Sequence, residues 1–121
     1  MQFPFLASYV TPRFQALLLG LVVVSLILNG ILWYGALELF PADDPAAVLH
    51  YSIDVGIDFI GESRQITTLP LIGLSLIIFN FIVGLALARA DVRTSWVLWS
   101  ICPVAQIILL VAFYLLWKVN V

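Results

Sequence analysis

The sequence predicts an all-α membrane protein: three transmembrane helices and one external acidic loop that contains an extended or irregular segment. Three observations lead there. Of 121 residues, 64% are hydrophobic and 10% charged, with a mean hydropathy of +1.15. The apolar residues fall in three long runs, and six of the seven acids lie in the one long stretch between the first two runs. A soluble domain is about 45–50% apolar and about 25% charged, so this chain has too few polar side chains to coat a globule in water. The length allows one integral membrane domain, residues 1–121.

The first run covers about residues 16–37, the second about 66–88 and the third about 96–117. Each is longer than the ~18 apolar residues that mark a spanning helix, and ~22 residues at ~1.5 Å per residue cross a hydrocarbon core of about 30 Å. Run one is too long for the ~7–15-residue core of a signal peptide, and no Ala-x-Ala-like site follows it, so it reads as a retained anchor. The segment before it, with Phe3, Pro4, Phe5, Tyr9 and Pro12, is too short to span and is expected at the headgroups. Pro70 falls in the first turns of span two, where a missing amide costs little. Pro103 lies a third of the way into span three, where it should kink the helix or free a carbonyl.

Orientation follows the basic residues. Arg13 precedes span one, and Arg89 and Arg93 lie in the 89–95 connection, which puts three bases on one side against Arg64 and Lys118 on the other. The expectation is a multi-pass plasma (inner) membrane protein with its N-terminus and the 89–95 loop cytoplasmic, and the 38–65 loop and C-terminus outside. Trp33, Tyr34, Trp96, Trp99, Tyr114 and Trp117 fall near span ends, where amphipathic rings anchor a helix at the interface.

Within the external loop, Pro41-Ala-Asp-Asp-Pro45 reads as a turn. Beyond it the residues alternate, with Ile53, Val55, Ile57 and Phe59 on one face and Ser52, Asp54, Gly56 and Asp58 on the other. That period suggests an extended segment lying outside the bilayer, pairing with a second copy, or resting on the helix mouths. A helical alternative would align His50, Asp54, Asp58 and Glu62 in one row, opposed by acid repulsion and by Gly56 and Gly61. The loop residues His50, Tyr51, Asp54, Asp58 and Glu62 are the candidate interaction surface. Among them His50, Asp54 and Asp58 combine imidazole with carboxylates, the donor types of a metal site, but their spacing matches no metal-binding motif, so no metal or other cofactor is expected.

No charge falls in the central part of any run, which argues against a proton relay, a voltage sensor or an ion-coupled carrier. The internal polar residues are Ser25 and Asn29, Ser75 and Asn80, and Ser100 and Gln106. An unpaired amide is costly in hydrocarbon, so these residues are expected to mark the inner faces and to bond between helices. Gly73, Ile77, Asn80 and Gly84 share one stripe of span two, Leu18, Val22, Ser25 and Asn29 one of span one, and Cys102 and Gln106 are neighbours on span three. The helix-packing candidates are Ser25, Asn29, Gly73, Asn80, Gly84 and Gln106, serving contacts within the chain or with a second copy. Cys102 is the only cysteine and His50 the only histidine, which excludes an intrachain disulfide and bis-histidine haem ligation in one chain. With no Walker, dinucleotide or nucleophile-elbow motif, no catalytic residue is expected and the chain is read as a non-enzyme.

Residues 49–61 are similar to a pattern of small uncharacterised bacterial three-span membrane proteins, His-Tyr-Asn-x-x-x-Gly-Ile-Asp-x-Ile-Gly, placed between two spanning helices. His50, Tyr51, Gly56, Ile57, Asp58, Ile60 and Gly61 match, while Ser52 stands where the pattern has Asn. The resemblance covers about a tenth of the chain; it implies a prokaryotic inner-membrane protein and carries no activity. The functional expectation is a structural or accessory subunit of a membrane complex or homo-oligomer, whose partners are the lipid bilayer and itself or other membrane subunits. The alternatives are an oligomeric cation pore or small-solute transporter component and, third, a metal-dependent membrane enzyme. With no basic run in the chain, nucleic acid is not among its expected partners.

Overall fold

The computed structural model describes residues 12–40, 47–52, 56–61 and 63–120. Helix α1 spans Pro12–Glu38, strands β1 and β2 span Ala47–Ser52 and Gly56–Gly61, a 3₁₀ turn covers Ser63–Thr67, and helices α2 and α3 span Thr68–Leu87 and Val92–Asn120. All three α-helices are long and apolar enough to cross a membrane, consistent with a multi-pass membrane protein.

The helix starts follow local chemistry. Proline is favoured in the first helical turn, where its missing amide has no partner to lose, and α1 begins at Pro12, four residues before the apolar run does. At α3 the Asp91 carboxylate accepts the Arg93 amide at 3.0 Å and the Thr94 hydroxyl at 2.6 Å. This is an N-cap, and it starts α3 at Val92 instead of Trp96, leaving a connection shorter than the expected 89–95. The amides of Ala90 and Asp91 both bond to the Leu87 carbonyl, at 3.0 and 2.8 Å, which folds the chain into a tight turn. Pro103 lies inside α3, which stays helical through to Asn120.

The buried residues of each helix recur at alternating steps of three and four. On α1 they are Gln15, Leu18, Ser25, Asn29, Leu32 and Ala36, with half-buried Val22 filling the gap and Gly35 buried beside Ala36. On α2 they are Pro70, Gly73, Ile77, Asn80 and Gly84, and on α3 Ser95, Trp99, Cys102, Gln106 and Phe113. This seven-residue period keeps one seam of each helix facing its neighbours, as in left-handed membrane bundles. The outward faces are apolar: Phe79, Val97, Ile108 and Leu115, for example, are exposed, as suits contact with lipid.

Two apolar clusters close the bundle's ends. Leu18, Ala88 and Trp99 meet at the end holding the α2–α3 turn. At the other end Leu32, Ala36, Phe40, Ile66 and Phe113 meet, with the Phe40 and Phe113 rings edge to face at 5.5 Å between centroids. The β strands lie between α1 and α2 in the chain and pair antiparallel, with Ala47 opposite Gly61, His50 opposite Phe59 and Ser52 opposite Gly56. A lone extended segment would leave its ladder groups unpaired; folding back on itself gives the alternating run a partner within the chain. His50 and Asp58 lie on opposite strands, so the four-residue helical row does not form.

Candidate functional site

At the middle of the bundle all three helices converge on one polar cluster. The Asn29 side-chain amide on α1 donates to the Pro70 carbonyl of α2 at 2.9 Å and lies 3.1 Å from Gln106 Oε1 of α3. Gln106 Nε2 donates to the Gly73 carbonyl at 2.9 Å. Each α2 carbonyl keeps a second lone pair after its own helical bond, so two side chains stitch three helices without breaking α2. Asn29 is 3% exposed and Gln106 0%, so these bonds form where water cannot compete.

Gly73 makes that convergence possible. A Cβ at this position would stand 2.5 Å from Gln106 Oε1 and 2.7 Å from Asn29 Nδ2. The same device recurs along α3. The Gly35 face of α1 receives the Phe113 ring, 2.8 Å from where a Cβ would stand, and the Gly84 face of α2 receives the Trp99 indole. Ser95 ties the last of these contacts by donating to the Gly84 carbonyl at 2.7 Å. The three side chains that fill these niches, Trp99, Gln106 and Phe113, stand seven residues apart on α3.

The remaining polar residues divide. Asn80 is buried on the α2 stripe, apart from the Asn29–Gln106 bonds, and the buried Cys102 thiol of α3 donates to its own helix at the Leu98 carbonyl, 3.7 Å away. Ser25 is fully buried in the seam but donates to its own helix, at the Leu21 carbonyl, 2.7 Å away. Ser75 and Ser100 correct the expectation that internal polar residues mark inner faces, because both are exposed. For Ser75 the reason is direct: its hydroxyl bonds the Leu71 carbonyl one turn back at 2.8 Å, so it needs no partner helix. Trp99 is a second correction, being 1% exposed and part of the core instead of an interfacial anchor. Its indole nitrogen is buried with no hydrogen-bond partner among the described residues. Gly35, Trp99 and Phe113 are the packing residues that sequence reasoning missed, although the seven-residue spacing from Gln106 to either aromatic was a usable signal.

Of the loop candidates, Asp54 and Glu62 lie outside the described residues. His50 and Tyr51 lie on β1 and Asp58 on β2, where the backbone alone is described. Among the described residues no group of three or more His, Cys, Asp or Glu side chains comes together. No family model matches the chain, and neither do any curated protein or solved structure.

Proposed function

We propose that this chain is a non-enzymatic structural or accessory subunit of a membrane complex or homo-oligomer, a self-stitched three-helix anchor that presents the 38–65 segment to a partner. The observation that supports it is the Asn29–Gln106 cluster, in which two amides of the seam, one on α1 and one on α3, bond within one copy. The inner faces are thereby used up, and the charged residues are left at the helix ends and in the acidic connection. A bacterial inner membrane with the N-terminus cytoplasmic fits the basic residues and the loop resemblance.

The test is purification of the full chain in mild detergent with chemical cross-linking, beside a variant carrying Asp54→Asn, Asp58→Asn and Glu62→Gln. The reading expects an assembly with itself or another membrane subunit that the variant loses while its helix content and thermal stability stay. Monomers for both chains would overturn it. The second reading, an oligomeric cation pore, is favoured only by the clustering of acids in the loop. It would need several copies, because Trp99, Gln106 and Phe113 fill the seam of one. Cation flux in vesicles that falls when Asp54 and Asp58 are neutralised would favour it.

A further inference from the structure

We infer that the bundle end carrying Arg13, Arg89 and Arg93 binds the phosphodiester headgroups of acidic phospholipids in its leaflet. The packing of Leu18 with Ala88 and Trp99 brings the start of α1, the end of α2 and the start of α3 to one end of the bundle. All three arginines are exposed there. Among the described residues this end carries three guanidiniums against one carboxylate, Asp91, which caps α3 through the Arg93 backbone amide and the Thr94 hydroxyl, so positive charge is in excess. The opposite end differs. Its bases, Arg64 and Lys118, share that end with Glu38, and the Lys118 ammonium lies 5.6 Å from the centre of the Tyr114 ring. Arginine is suited to the arginine-bearing end because its planar fork binds phosphate oxygens in pairs and stays charged in a low dielectric. The aromatic pair Trp96 and Trp99, edge to face at 5.3 Å, lies in the first turns of α3 at the same end.

The experiment is native mass spectrometry of the purified full chain in detergent with equal amounts of phosphatidylglycerol and phosphatidylcholine. Phosphatidylglycerol should be retained preferentially, with the preference shrinking as salt rises. Each of Arg13→Gln, Arg89→Gln and Arg93→Gln should lower it by about fivefold, the scale expected for one basic residue at an anionic surface. The paired substitution Arg64→Gln and Lys118→Gln should leave it within about twofold. Circular dichroism confirms that each variant is folded, and the salt titration of the unmodified chain tests the proposal without any variant. Equal retention of the two lipids, a salt-independent preference, or equal loss from substitutions at the two ends would each overturn it.

Discussion

Two glycines of α2 meet two side chains of α3, and the two contacts are built on different physics. At Gly73 the visitor is Gln106, an amide whose nitrogen is bonded to the Gly73 carbonyl and whose oxygen accepts from Asn29. At Gly84 the visitor is Trp99, a large ring whose buried nitrogen has no partner among the described residues. The first contact is directional and fixes the heights of three helices against one another. The second is a matter of shape and area, with the Ser95 hydroxyl supplying a directional bond beside it. Lipid tails are as apolar as the helix faces, so close packing and interhelical bonds hold a membrane bundle together. This chain uses the two separately, about three helical turns apart on α2.

The largest effects are expected from adding a methyl group to each glycine. In Gly84→Ala the new Cβ falls on the Trp99 indole, a rigid ring buried on all sides, and α2 must move away from α3. A loss of about 3 kcal/mol is expected in detergent unfolding, at the upper end of overpacking costs. In Gly73→Ala the obstructing atoms are the tips of Gln106 and Asn29, which can swing aside at the expense of their hydrogen bonds. There about 2 kcal/mol is expected. A smaller loss at Gly84 than at Gly73 would show that the indole yields more easily than the amides, reversing the assignment of shape to one site and direction to the other.

Next in size is the coupling between Asn29 and Gln106. Asn29→Leu and Gln106→Leu each remove a partner from a buried amide, and a double-mutant cycle should give a coupling of about 0.6–1.7 kcal/mol, the range seen for polar pairs in membrane bundles. Asn80→Leu combined with Gln106→Leu serves as the control. Asn80 takes no part in the Asn29–Gln106 bonds, so these two losses should add. Trp99→Phe should cost less than Gln106→Leu, about 1 kcal/mol, because a smaller ring leaves part of the niche empty but breaks no hydrogen bond.

The stripes of α1 and α2 could be read directly, because Asn29, Gly73, Asn80 and Gly84 are unusual residues for an apolar helix and their spacing is visible. The stripe of α3 was only half visible. Trp99 and Phe113 belong to it, but an aromatic near a span end reads equally well as an interfacial anchor, and nothing local separates the roles until Gly84 and Gly35 are brought opposite. Ser75 and Ser100 misled for the converse reason. A serine can satisfy its hydroxyl on its own helix, as Ser75 does at Leu71, so it carries no information about which face is inside. The start of α3 was set too late because hydropathy ignores Asp91, whose capping role depends on the amides that follow it. The alternation indicates extended backbone, found at its described residues 56–59, but leaves the partner open, since pairing depends on the register of β1 with β2. Acid positions that lie outside the described residues, such as Asp54 and Glu62, stand on the sequence alone.

The smallest effect is expected at that cap, and it asks whether the indole end depends on anything directional besides Ser95. The bond from Thr94, then the Arg93 amide, hold the Asp91 carboxyl below its ordinary value of 3.8. The folded chain therefore binds the Asp91 proton more weakly than the unfolded chain does. The cap contributes fully above pH 3.8 and is lost as the pH falls through the depressed value. Asp91→Asn keeps an oxygen to accept the Arg93 amide but cannot titrate, so it should match the unmodified chain near neutral pH. The difference between the two unfolding curves should change only below about pH 4. Taking that difference removes the titration of the acids between α1 and α2, which is common to both chains. Because Asp91 is fully exposed, the change should be the smallest of the series. If it instead approached the Gly84→Ala loss, the cap would be holding the start of α3, and with it Trp99, against Gly84, and the indole site would depend on direction as well as shape.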